Sequence, residues 1–407
     1  MSIEFLKNEN IKSDSSVFQK MAFNLLKEKA PPTTSNEQWH KSELLGYLKE
    51  NYKNHPMGRV FVNSEIKEMI PTPSQIVMVN GEYQSNLTKL PPGIEIVRDA
   101  KIESIKLNQL NFCSLANLSR SEPLTINILP NCEAKITILN IYTEDLSDSN
   151  IFTGFVINGG RCCNSVIYES HQFIGKNSIH HFASTFFQLN LEEMAKIELV
   201  QNFNLSNESL FVTNNYFHLK RNAQMKLTQF LLNAKIIRNE VFAYLMEEDA
   251  AISLNGLSVA TEKSQTDTHT NTYHLKSHTK GEQLYKNLIS GEAISIFDGQ
   301  ITVHPDAQKV SSTQLNKNLI LSKSAHVFTR PQLKVAAHDI KCSHGSTIGQ
   351  ISEEEYFYLQ SRGIDRVHAK GLLSHAFGED IIKQVNEKSL HKIIKKNLDG
   401  HLKKEGP

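Results

Sequence analysis

The 407-residue chain has one tryptophan, five cysteines and almost no net charge. Lys and Arg total 44 against 43 Asp and Glu, which leaves +1 and argues against a surface built to wrap nucleic acid or coat an anionic membrane. No apolar run approaches the roughly 18 residues of a membrane span. The opening Met1-Ser2-Ile3-Glu4-Phe5-Leu6 has no basic segment leading into an apolar stretch, so no secretory signal is expected and a cytoplasmic setting is. The cysteines, Cys113, Cys132, Cys162, Cys163 and Cys342, are odd in number and show no C-x-x-C spacing, which suits reduced thiols rather than a disulfide framework. Cys162 and Cys163 are adjacent. On a strand they would point to opposite faces and make poor joint ligands.

The familiar catalytic signatures are missing too. There is no G-x-x-x-x-G-K-[ST] phosphate loop, no G-x-G-x-x-G turn, no G-x-S-x-G elbow and no H-E-x-x-H helix. A non-enzymatic role is the expectation.

What is present falls into three parts. Residues 1–95 read as an N-terminal helical region. Ser15 or Asp14 can cap a helix with apolar positions Val17, Phe18, Met21, Leu25 and Leu26, ended by Pro31 and Pro32. A second helical patch is expected over Glu43–Tyr52, behind Trp39. Irregular text follows, punctuated by Pro56, Pro71, Pro73, Pro91 and Pro92.

Residues 96–345 read as many short β runs rich in β-branched and aromatic residues, such as Leu124-Thr125-Ile126-Asn127-Ile128. A weak repeat, Ala-x-apolar-x-apolar, begins at Ala134, Ala195, Ala223 and Ala250, with a looser relative at Ala325. The last three full copies start 28 and 27 residues apart. That period, with two or three strands and no helix per unit, favours a β-helix, whose coils bury their apolar faces by stacking. A β-sandwich stays open on this ground alone.

Residues 346–407 read as a C-terminal helical domain. Ser352 and Glu355 form a capping box, and Gly363 follows the first helix. The last helix aligns Leu390, Ile393, Ile394 and Leu398 on one stripe, with Lys388, Lys392, Lys395 and Lys396 on the rest.

Two histidine-bearing segments stand out. In Asp267-Thr268-His269-Thr270-Asn271, followed by His274 and His278, strand alternation puts Asp267, His269 and Asn271 on one face. That arrangement suits a ligand set or a hydrogen-bonded polar ladder. In Lys341-Cys342-Ser343-His344-Gly345, Cys342 and His344 share a face roughly 6 to 7 Å apart along the strand. A thiolate and an imidazole suit iron or zinc. Two ligands do not close a tetrahedral site, so the rest would come from elsewhere, another chain included.

The stretch Ala337-His338-Asp339-Ile340-Lys341-Cys342-Ser343-His344-Gly345-Ser346-Thr347-Ile348-Gly349-Gln350 resembles the signature of the SufD branch of the SufB/SufD family of iron–sulfur cluster assembly proteins. Gly299-Gln300-Ile301-Thr302-Val303, Thr329-Arg330-Pro331-Gln332-Leu333 and Tyr356-Phe357-Tyr358-Leu359 fit in order. The likeness is specific over about 265–385 and diffuse in the N-terminal third. It implies a mainly β fold, a right-handed parallel β-helix between N- and C-terminal helical parts. It implies a non-catalytic scaffold subunit of the SufBCD complex, pairing with SufB through the β-helix and binding the ATPase SufC through the C-terminal helices. A homodimer is possible for the isolated chain. His344, with Cys342 beside it, is the implied holder of a transient iron–sulfur cluster shared with SufB; no tightly bound cofactor is expected and nothing marks a flavin pocket. SufB proteins typically carry Glu after the motif histidine, where Gly345 stands, and a cysteine near the segment that reads Asn318-Leu319-Ile320. Both differences disfavour a SufB-like homodimeric scaffold. Lys334 departs from the glutamate frequent in SufD. A β-helix carbohydrate-active enzyme would call for an acidic cluster on one coil face, which is not visible.

Overall fold

The computed structural model describes residues 15–47, 53–54, 75–97, 106–175 and 179–402. Consecutive long strands alternate between two ten-stranded sheets, and each long strand pairs in parallel with the strand one turn away. This is a parallel β-solenoid, with helices at both ends of the chain. The first sheet runs from Ile94–Val97 through Leu124–Ile128, Ser149–Gly159, His181–Leu191, Ser209–Leu219, Ile236–Leu245, Gln265–His274 and Ile294–Val303 to His326–Val335, with Lys53–Asn54 as a tenth strand paired to Ser149–Gly159. The second runs from Glu82–Tyr83 and Gln75–Val79 through Glu133–Thr143, Asn164–Ile174, Lys196–Asn204, Gln224–Asn233, Ala251–Ala260, Lys280–Ile289 and Val310–Ile320 to Ile340–Gln350.

The repeat is the solenoid's register. Ala195, Ala223 and Ala250 occupy one corner on successive turns, each carbonyl accepting from the strand of the next turn. Ile197, Met225 and Ile252 then align, as do Leu199, Leu227 and Leu254. All six face the interior, against Phe217, Ala243 and Leu245 of the first sheet. Two copies depart. Ala134 lies level with Ser165 and so with Ile197, two positions further along its rung. Ala325 precedes a strand of the other sheet, at the position that Ala293 holds one turn earlier.

The turn before that corner repeats as well. Asn131, Cys162, Met194, Asn222, Asp249, His278 and Lys309 all have left-handed backbones, φ 56–63°. Asn and Asp tolerate this conformation best, which explains three of the seven. Cys162 therefore sits in a turn rather than on a strand. Cys163, at the corner, has its thiol pushed up to about 11 by burial.

Helices cover the outer faces. Val17–Glu28 is capped by Ser16, in a box with Gln19, rather than by Ser15 or Asp14. Its inner face is Ala22, Phe23 and Leu26, and Val17 and Met21 are exposed. With Phe112–Leu118 it packs on Phe182, Phe186, Val212 and Tyr216 of the first sheet. The expected patch at Glu43–Tyr52 appears as a short Leu44–Tyr47 helix; 48–52 lie outside the described residues. Arg366–Ile382 and Lys388–Leu402 lie on the second sheet, setting Ile381, Ile382, Val385, Ile394 and Leu398 against Val200, Phe230, Leu257 and Leu288. The lysine-rich stripe of the last helix points away from that contact, apart from Lys395, which meets Glu379 at 3.1 Å.

The two ends of the solenoid differ. At the first, short strands add in antiparallel sense: Glu82–Tyr83 on Gln75–Val79, and Ile94–Val97 on Leu124–Ile128. At the last, a ten-residue and an eleven-residue strand end their sheets with nothing paired beyond them among the described residues.

Candidate functional site

On Val310–Ile320, Ser312, Gln314, Asn316 and Asn318 are buried while their alternates are exposed or half-buried. The parallel register stacks Cys342 on Ser312, His344 on Gln314, Ser346 on Asn316 and Ile348 on Asn318. Cys342 and His344 thus lie on the lumen side of the wall. Because no further turn covers them, Cys342 is only half-buried and His344 is exposed. Burial pushes the Cys342 thiol up, so a metal would have to displace its proton. Across the lumen mouth, Ser346 Oγ is 2.9 Å from Thr329 Oγ1.

The layer beneath is polar. Gln314 donates to Gln283 Oε1 (3.1 Å), and Gln283 in turn accepts from Thr270 (2.8 Å) and donates to Thr272 (2.9 Å). Gln314 Oε1 is buried with no hydrogen-bond partner, one position below His344. Ser312, beneath Cys342, is 3.1 Å from His274 Nε2, and His274 Nδ1 is 2.8 Å from Thr279. Burial pulls His274 down to about 4, so it is neutral. Gly281 allows this contact, for a Cβ there would lie 2.7 Å from Ser312 Oγ. Sequence reasoning missed Ser312, Gln314 and His274 as neighbours of the pair. One signal pointed to the first two: they lie 30 residues before Cys342 and His344, about one turn.

The other histidine-bearing segment is divided. Asp267, His269 and Asn271 do share a face, the outer one, and Asp267 and His269 belong to a hydrogen-bonded ladder. Arg238, one rung away, donates to Asp267 (2.6 Å) and to Glu240 (2.5 Å); His269 Nε2 is 2.6 Å from Asp267. Asp298 and Arg330 continue the ladder. His274 points into the lumen, and His278 occupies an exposed left-handed turn. Among the described residues, no three His, Cys, Asp or Glu side chains are arranged to hold a metal. Cys342 and His344 would supply two of the ligands a tetrahedral ion needs.

A second exposed feature lies on the C-terminal helices. Phe357 and Tyr358 on Glu353–Ser361, and Val367 and Leu372 on Arg366–Ile382, stand between 51% and 73% exposed. The opposite end of Arg366–Ile382 is clasped to the solenoid by Lys286. That side chain is 4% exposed and reaches Asp380 (2.6 Å) and the Phe377 carbonyl (2.8 Å).

The family model described as "SUF system FeS cluster assembly, SufBD core domain" matches residues 142–377. The iron–sulfur cluster assembly protein SufD of Escherichia coli is 30% identical over 218 residues, covering 54% of this chain and 52% of that one. A SufBD-family iron–sulfur cluster assembly protein of Synechocystis is 26% identical over 340 residues, covering 78% and 75%. The chloroplastic protein ABCI7 of Arabidopsis thaliana is 25% identical over 237 residues, covering 57% and 49%. The matched part spans about half the length of the E. coli and Arabidopsis proteins. Among the described residues, no helix is long and apolar enough to cross a membrane.

Proposed function

The chain belongs to the SUF-system FeS cluster assembly family with a SufBD core domain, and from that premise we propose that it is a SufD-type, non-catalytic scaffold subunit. It works in the cytoplasm, pairs with SufB across the last turn of the solenoid, and binds the ATPase SufC through the C-terminal helices. The cluster is cargo. It is assembled at the joint between the two solenoids and then passed on.

One observation supports this above the others. The last turn offers a half-buried thiol and an exposed imidazole on the lumen side, and among the described residues no third ligand is grouped with them. A tetrahedral iron site needs more. A neighbouring chain that covers the lumen mouth would both supply the missing ligands and exclude water. The exposed Phe357, Tyr358, Val367 and Leu372 are large apolar side chains of the kind that mark a protein contact. ATP-driven movement at that contact would reach the solenoid through the Lys286–Asp380 clasp.

The test is co-expression with SufB and SufC, followed by cluster reconstitution read by visible absorption. His344→Ala is expected to leave the three-subunit complex intact and to lower the cluster yield at least tenfold. An undiminished yield would remove His344 from the ligand set. A chain that no longer pairs would make its role structural.

A further inference from the structure

In a parallel sheet, each residue directs its N–H and C=O to the same side, and successive residues alternate sides. The hydrogen bonds flanking the last strands assign those sides. His326 N–H donates to Ala293 O and Ala336 N–H to Val303 O, so even-numbered residues of His326–Val335 bond inward to the preceding turn. Odd-numbered residues face the open edge, and Pro331 is one of them. Ser311 and Leu321 donate to Thr279 and Ile289, away from the last strand. Even-numbered residues of Val310–Ile320 therefore bond to Ile340–Gln350, through its odd-numbered residues. The N–H groups of Cys342, His344, Ser346, Ile348 and Gln350 face the open edge.

The two edges are thus unequal. With Ile340 counted, the second-sheet edge carries six outward N–H donors and no proline. The first-sheet edge would present donors at 327, 329, 331, 333 and 335, but the middle one is proline. Its ring replaces the N–H and crowds the path of an added strand. The position costs nothing internally, because residue 331 has no inward bond to lose.

We propose that Pro331 is a specificity-determining residue: it confines strand addition at the open end to Ile340–Gln350, the strand that carries Cys342 and His344. This rests on the pairing reading above and deepens it. The occupant is the end strand of another solenoid with acidic character, not a second copy of this chain. Residues 326–350 bear Lys334 and Lys341 against Asp339 alone, while Arg330 is already paired with Asp298 and Glu37. Two such ends brought together would oppose like charge. One edge held and one left free would let the joint hinge about the strand that carries the cluster ligands.

The experiment is amide hydrogen exchange, followed by mass spectrometry, on the full chain alone and co-purified with SufB. Peptides spanning 340–350 are expected to slow at least tenfold in the complex, while peptides spanning 326–335 change less than twofold. In a Pro331→Thr complex, protection is expected to spread to 326–335. Ser346→Pro removes one outward donor and no inward bond, and is expected to weaken pairing at least tenfold with the melting temperature retained; Ser346→Ala, which removes only the hydroxyl, is expected to pair normally. Equal protection of both peptides in the unaltered complex, or no spread in Pro331→Thr, overturns the role of Pro331. Absence of any complex overturns the pairing reading itself.

Discussion

The guanidinium of Arg238 lies 3.7 Å from the ring centroid of Trp39, the chain's one tryptophan, and holds the N-terminal segment against the outer face of the first sheet. Arg238 is fully buried. It donates to Asp267, to Glu240 and, at 3.2 Å, to the Gln38 carbonyl, so the charge is compensated on every side. Burial pushes the Asp267 carboxyl up, but the pull of Arg238 and then His269 outweighs it and leaves the group well below the usual carboxylate range.

Removing one partner of a buried ion pair strands the other. Arg238→Met is expected to destabilise the protein by about 3–5 kcal/mol in urea unfolding. Trp39 emission should shift to the red at urea concentrations below the main transition. An Arg238→Met, Asp267→Asn, Glu240→Gln triple variant should recover part of the loss, because no bare carboxylate is left behind. Equal stability of the single and triple variants would contradict this account.

The acid response follows from the buried titratable groups. Burial lowers His181, His218 and His274 to about 4, against about 6.5 in an unfolded chain. Between those values the unfolded state binds more protons, so stability falls as the pH drops from about 6.5 to 4, by about 1.4 kcal/mol per pH unit per histidine. His274→Gln should reduce that slope, measured by urea midpoints across the window. Asp267 acts lower down. Its contribution is complete above the unfolded value of about 3.9 and is lost only as the pH falls through the depressed folded value.

Gly256 and Tyr285 hold the same lumen position on consecutive turns. A Cβ on Gly256 would sit 2.4 Å from the tyrosine ring, which fills the space the glycine leaves and donates its hydroxyl to Gln229 (3.2 Å). Gly256→Ala is expected to cost about 1–3 kcal/mol through overpacking. Gly256→Ala with Tyr285→Leu should restore stability. A neutral single variant would show that the ring has room to move.

The exposed apolar side chains of the C-terminal helices do not support the solenoid. Phe357→Asp with Leu372→Asp should therefore leave the melting temperature within about 2 °C, since exposed substitutions change stability by only about ±0.5 kcal/mol. Binding of SufC, measured by calorimetry, is expected to fall at least tenfold. Unchanged binding would place the ATPase elsewhere.

Much of the architecture was legible because it is periodic. The Ala195, Ala223 and Ala250 repeats state one structural turn each, and the Ser352–Glu355 box is a local signal that needs no tertiary context. Strand alternation correctly placed Asp267, His269 and Asn271 together, and Cys342 with His344. The failures were those of context. Val17 and Met21 follow helical spacing, yet the helix turns them to solvent because Ala22, Phe23 and Leu26 face Phe112–Leu118. The strand alternation considered for Cys162 and Cys163 does not apply, because Cys162 lies in a left-handed turn, a conformation set by the corner it must round.

The sequence by itself determined the period, the alternation within each strand, and the chemistry on offer at Cys342 and His344, because these depend only on residue types and spacing along one chain. Which of two faces a strand turns inward is invisible to alternation; it follows from how the coil closes. The tertiary structure therefore decided that Asp267 faces Arg238 while His274 faces Ser312, and that His344, on the lumen side, is nevertheless open. It also decided that the backbone nitrogen of residue 331 points away from the preceding turn, so that a proline could stand there.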